Sequence, residues 1–158
     1  YPKADKLDLI AQKAAELGAA RIVPVLFSRS VARGGGEKLD RLARIVREAV
    51  KQCGRSAIPV IEAPMPFDKA LMDMKERALL LLPWEDARGN RLRDEHARMP
   101  GASDIGLVVG PEGGISEDEV QKMKEIGARC VTLGPRILRT ETAAIAAVSC
   151  AQSLWGDL

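Results

Sequence analysis

Between positions 4 and 17 the apolar residues Leu7, Ile10, Ala11, Ala14 and Leu17 recur three and four apart, which puts them on one helix face, and Gly18 stands where a left-handed residue ends the helix. The period then changes. Residues 21–27, RIVPVLF, are short, branched and apolar, as in a buried strand, with Pro24 removing one ladder donor. Helical spacing returns over Glu37–Cys53 through Leu39, Leu42, Ile45, Val46, Ala49 and Cys53, and Gly54 closes it. AIPVIEA (57–63), a short helix near 67–76 and ALLLLP (78–83) follow. Residues 85–103 are polar and charged, carry Gly89, Pro100 and Gly101, and read as a long surface excursion. DIGLVV (104–109) is the next strand, and Ser116 with Glu119 three positions on forms a capping box for a helix ending at Gly127. RCVTL (129–133) is a strand, and a last helix runs from near Thr140 to about Trp155.

Uniformly apolar strands alternating with helices imply a sheet covered on both faces, hence an α/β fold with a mainly parallel sheet. With 158 residues and 46% hydrophobic content the chain can bury one good core, so residues 1–158 are expected to form a single domain. Aromatic residues make up 3%, which leaves no supply of stacking platforms for single-stranded nucleic acid. Net charge is +2, so any RNA contact must come from a local patch. Cys53, Cys130 and Cys150 are odd in number, widely spaced and beside apolar segments, as reduced core residues are. One histidine, His96, in the polar excursion and no paired cysteine motif argue against a metal site. The absence of a long apolar run and of a signal-like start argues against a membrane and for a cytoplasmic protein.

In a parallel sheet, ligands bind beyond the carboxyl ends of the strands, where the loops converge. Three exits stand out: LLPWE (81–85), GPEGG (110–114) and LGPRILRTETA (133–143). GPEGG matches neither the dinucleotide nor the P-loop glycine pattern, and taken alone it is equally an ordinary strand-to-helix turn. Arg136 and Arg139 alone would by default be solvated, and with His96 far from any nucleophile a triad is not supported. A basic series begins with Arg29 and Arg33 in SRSVARGGG (28–36) and continues through Lys38, Arg41, Arg44, Arg47, Lys51 and Arg55; a solvated helix face explains its outer members. Arg29 differs in lying at a strand exit.

The combination of KADKLDLIAQKAAELG, SRS after the first strand, EAVKQCGR (48–55), GPEGGIS and LGPRILRTETA resembles the RsmE family of ribosomal RNA methyltransferases, in the SPOUT superfamily, over nearly the whole chain. The resemblance implies S-adenosylmethionine as cofactor and methylation of N3 of a uridine in 16S rRNA of the small ribosomal subunit. It also implies a C-terminal trefoil knot and a homodimer with the cofactor near its interface. Family members carry a PUA-like domain ahead of the catalytic one, and the start at Tyr1 fits a piece without it. Carried over by position, the cofactor loops supply Leu82 and Pro83, then Gly110, Glu112 and Gly113, then Leu133, Gly134, Ile137, Leu138, Arg139 and Thr140. Candidate catalytic residues are Arg139 and Arg29, stabilising an anion or a phosphate, with Glu112 or Glu141 as orienting carboxylate or proton acceptor. RNA would meet Arg29, Arg33, Arg41, Arg44 and Arg136. Ala143, Ala144, Ala146, Ala147 and Ala151 in the last helix permit close packing of the kind an interface uses. The alternatives are a SPOUT methyltransferase acting on another RNA and a non-catalytic RNA-binding or ribosome-assembly module.

Overall fold

The computed structural model describes residues 4–30 and 37–158. The elements in chain order are α1 (Ala4–Glu16), β1 (Arg21–Ile22), β2 (Val25–Leu26), α2 (Glu37–Cys53), β3 (Val60–Ile61), β4 (Met65–Pro66), α3 (Phe67–Lys75), β5 (Leu79–Pro83), α4 (Leu92–Arg98), β6 (Ile105–Leu107), α5 (Glu117–Glu125), β7 (Arg129–Val131) and α6 (Thr140–Trp155). Every strand pair is parallel: β1 with β3, β2 with β4, and β5 between β6 and β7.

The expected strand over 21–27 is two short ones. Pro24 has no N–H to give, yet its carbonyl still accepts from Met65 N–H at 3.0 Å, so the ladder kinks there and resumes. Its partner segment breaks in the same way, between Val60–Ile61 and Met65–Pro66.

Side chains alternate across β5, and the two faces take different helices. Leu80 and Leu82 pack with Ala70 and Met74 of α3 and with Val120 and Met123 of α5. Leu79 and Leu81 pack with Leu92 of α4 and Ala151 of α6. The crossover from β5 to β6 therefore carries its helix on one face, and the return crossover from β6 past β5 to β7 carries its helix on the other, so both turns have the same hand. A further cluster seats Leu7, Ala11 and Ala15 of α1 on Leu42, Val46 and Ala49 of α2 over the first strands. Arg55 donates to the carbonyls of Gly18 and Ala19 at 3.3 and 3.1 Å, satisfying acceptors at the end of α1.

The polar segment 85–103 is not a plain excursion, because it contains α4. Binary patterning misses this helix: its only aliphatic anchor is Leu92, and its other buried residue is Glu95, at 1% exposure. The Glu95 carboxylate accepts from Arg129 at 2.6 Å and from Asn90 at 2.9 Å, so a charge network does the docking that apolar residues usually do. Burial alone would raise the Glu95 pKa, and the hydrogen bonds from Asn90 and Arg129 outweigh it, holding the group below the ordinary carboxylate range. His96 lies half-buried with its ring edge-on to Trp155 of α6, and Trp155 Nε1–H donates to Met99 O at 2.8 Å. The cysteine expectation is also corrected: Cys53 and Cys150 are exposed, Cys130 is half-buried, and all three are free.

Candidate functional site

Three strand exits and one loop from the N-terminal half meet at the carboxyl ends of the strands. The GPEGG loop leaves after β6, and two of its glycines owe their identity to packing. A Cβ on Gly110 would stand 2.8 Å from the Ile115 side chain, and one on Gly113 would stand 2.9 Å from the Arg29 carbonyl. Gly114, at φ +73°, needs a left-handed backbone, and its α-carbon faces Glu85 and the Arg29 guanidinium. The backbone of the SRS segment is thus pressed against GPEGG, which puts Arg29 at this end of the sheet with its side chain exposed.

One buried carboxylate locks the two loops. Glu119, 7% exposed, accepts from Ser28 N–H at 2.7 Å and Ser28 Oγ–H at 3.0 Å, and also from Ser116 N–H at 3.0 Å and Ser116 Oγ–H at 2.8 Å. The expected Ser116–Glu119 capping box is present, and it extends to the exit of β2. Burial pushes the Glu119 pKa up, but the hydrogen bonds from Ser28 and Ser116 prevail and hold it below the usual range.

A second polar cluster joins GPEGG to the start of α6. Lys6 Nζ lies 3.2 Å from Glu112 Oε1 and 3.3 Å from Glu141 Oε2. Glu141 is held below the ordinary carboxylate range first by its own backbone N–H; burial opposes this, and Lys6 and Arg139 add to it. Its Oε2 is shut off from solvent and accepts no well-directed hydrogen bond. Arg139 is the N-cap residue of α6, with an exposed side chain that makes no capping bond. The four candidate catalytic residues therefore form a chain of neighbours: Arg29 against Gly113, Glu112 sharing Lys6 with Glu141, and Arg139 beside Glu141.

The candidate cofactor residues divide. Leu82 is fully buried in the core at 0% exposure, while Pro83, Leu133 and Leu138 are half-buried. Gly134, at φ +117°, has open space where a Cβ would stand, and the apolar side chain of Ile137 is 82% exposed. Thr140 is buried. Segment 84–91 is laced to the end of β7: Trp84 N–H donates to Val131 O at 3.1 Å and Thr132 N–H to Asn90 O at 2.8 Å. Lys124 Nζ sits 4.9 Å from the centre of the Trp84 ring. A cleft of about 500 Å³ is lined by residues of α1, α3, α6, β6 and the first strands, and by Gly110, Pro111 and Thr140.

Of the candidate RNA contacts, Arg136 and Arg44 are exposed, Arg41 is drawn into an ion pair with Asp8 of α1, and Arg33 lies outside the described residues. Lys6 and the double role of Glu119 escape a sequence reading. Lys6 lies off the apolar stripe by which α1 is recognised, and Glu119 already has a complete local explanation as a cap. Among the described residues no group of three or more His, Cys, Asp and Glu side chains is arranged to hold a metal, and no helix is long and apolar enough to cross a membrane.

The chain is 34% identical over 156 residues to the ribosomal RNA small subunit methyltransferase E of Bacillus subtilis, covering 94% of this chain and 61% of that protein. It is 36% identical over 155 residues to the protein of the same name from Mycobacterium tuberculosis, covering 93% and 58%. It spans about three fifths of the length of these curated relatives. Among solved structures, the ribosomal RNA small subunit methyltransferase E of Neisseria gonorrhoeae, bound to S-adenosylmethionine, superimposes with a TM-score of 0.87 at 38% identity, covering 98% of this chain and 63% of that one. A Legionella pneumophila protein solved with bound S-adenosylmethionine gives 0.90 at 35% identity, covering 100% and 65%. The RNA methyltransferase domain family matches residues 1–152, so the chain belongs to that family.

Proposed function

We propose that the protein methylates N3 of a uridine in 16S rRNA of the small ribosomal subunit, in the cytoplasm, using S-adenosylmethionine. One observation carries the reading: Arg29, Glu112, Glu141 and Arg139, from three different segments, converge where the glycine-bearing exits of β6 and β7 meet. The relatives named above and the cofactor-bound neighbours support it.

The residues present fit that cofactor. Open space at Gly134 leaves backbone exposed to an adenosine, and Ile137, Leu133 and Leu138 offer apolar contact. When bound, S-adenosylmethionine supplies an electrophilic methyl group.

The chain must prepare the other partner, because uracil N3 carries a proton at neutral pH. Arg139, exposed and unpaired to any cap, faces the developing negative charge on the uracil oxygens, and a fixed guanidinium there lowers the cost of losing the proton. Glu141, held below the ordinary carboxylate range by its own N–H, Lys6 and Arg139, and Glu112, the other carboxylate on Lys6, share the orienting and proton-accepting roles. Arg29, fixed by Ser28 and Gly113, and Arg136 take phosphates. The three loops 82–85, 110–114 and 133–140 form the trefoil knot that the family resemblance implies, and the protein works as a homodimer.

Nucleoside mass spectrometry of 16S rRNA from small subunits incubated with protein and S-adenosylmethionine tests the function. N3-methyluridine is expected. A methyl group on ribose, or incorporation only into another RNA, points to a different member of the family, and no incorporation with no heat of cofactor binding points to a module without catalysis.

A further inference from the structure

We propose that Lys6 is a positioning residue that ties the GPEGG loop to the foot of α6 and so sets the width of the cofactor cleft. The inference rests on the reading that these two loops grip S-adenosylmethionine. α1 takes no part in the parallel sheet; it packs on α2 and α6, and from that platform a single ammonium reaches Glu112 at 3.2 Å and Glu141 at 3.3 Å. The two carboxylates belong to exits of different strands, and no ladder hydrogen bond joins β6 directly to β7, because β5 lies between them. Lys6 is thus a tie between loops that the sheet itself leaves uncoupled.

The charges make the tie directional. Removing the ammonium leaves two carboxylates within reach of one vanished partner, with Glu141 Oε2 already cut off from water and without a well-directed hydrogen bond. The loops then separate, and a cleft built on their spacing loosens. Lys6 itself stays charged: the Glu112 hydrogen bond, against the opposing effect of burial, raises its pKa further, with Glu141 adding to it.

Calorimetric titration of the chain with S-adenosylmethionine tests this in wild type, Lys6→Met, Lys6→Arg, Glu112→Gln and the Lys6→Met/Glu112→Gln double variant. Lys6→Met should bind about fivefold more weakly or worse, as contacting groups in one network do when uncoupled, and the double variant should lose less than the two single losses combined. Lys6→Arg should stay within about twofold of wild type, since a guanidinium spans the same two carboxylates. In methylation assays Lys6→Met should raise KM for the cofactor, and Lys6→Arg should bring it back to within about twofold of wild type. Lys6→Gln replaces the Met variant should circular dichroism show that the latter is unfolded. Unchanged affinity in Lys6→Met, a loss in Lys6→Arg as large as in Lys6→Met, or strictly additive losses in the double variant would each overturn the role of Lys6 while wild type still binds. Absence of heat in wild type overturns the cofactor reading and this inference together.

Discussion

The missing side chain of Gly113 makes room for another backbone. Its Cβ would stand 2.9 Å from the Arg29 carbonyl, so even Gly113→Ala must push the SRS segment outward by a few tenths of an ångström. Sequence reasoning assigns this glycine to close approach of a ligand; the structure gives it a second duty, as the seat of Arg29. We expect Gly113→Ala to slow methylation of 16S rRNA more than it weakens binding of S-adenosylmethionine, as a calorimetric titration alongside single-turnover kinetics would reveal. The two arginines that differ most in setting should also differ in effect. Arg139→Ala removes the charge proposed to stabilise the uracil anion and should lower kcat roughly 10²-fold, the scale for losing one preorganised stabilising group. Arg44→Ala removes an exposed charge on α2 and should raise KM for RNA and flatten its salt dependence, with kcat intact. Equal single-turnover rates for Arg139→Ala and wild type at saturating RNA and cofactor would make Arg139 a positioning residue and move the anion-stabilising role to Arg29.

Between elements, the Glu119 carboxylate fastens the start of α5 to the exit of β2, and its removal takes the acceptor from part-buried donors on both. Glu119→Ala should cost about 2–3 kcal/mol in urea unfolding at pH 7, the penalty of unpaired donors plus a lost cap. Because the folded-state pKa is depressed, this contribution is complete above the unfolded carboxylate value and fades as pH falls through the folded one. The gap between wild type and Glu119→Ala should therefore narrow from pH 7 toward pH 3; a gap constant with pH would mean that the carboxylate's charge is immaterial. This clamp also shows where the sequence stops being legible. Period and punctuation locate α1, α2, α5 and α6 to within a residue or two, because each rests on apolar spacing and the first three also on Gly18, Gly54 or Gly127 at φ between +75° and +96°; the strand at Met65–Pro66 lies beyond the expected 57–63. α4 was invisible because an ion network, not an apolar stripe, buries it, and the reach of Glu119 to Ser28 spans a separation over which no local pattern carries information.

Over the whole molecule, the GPEGG and LGPRILRTETA motifs predict which loops meet, and the parallel order β6-β5-β7 explains how exits distant in sequence reach one end of the sheet. Motifs say nothing about which face of α6 the protomer keeps for itself. Ala144, Ala147 and Ala151 are buried within the protomer, Ala147 to 0% exposure and Ala151 in the cluster of Leu79 and Leu81, so the expectation that this alanine set serves an interface fails for those three. The outward side of α6 instead carries Thr142, Ala146, Ser149 and Ser153, small and partly or fully exposed. The proposed homodimer then makes a prediction with two distinguishable arms. Ala147→Arg forces a charge into a closed core and should leave little folded protein, a loss of the size expected for an unpaired buried charge. Ser149→Arg leaves the core alone, should keep the thermal transition within a few degrees of wild type, and should convert a sedimenting dimer into a monomer with weaker cofactor binding if the outward side of α6 is the contact. A wild-type monomer in sedimentation would remove the dimer, and a dimeric Ser149→Arg would move its interface off α6.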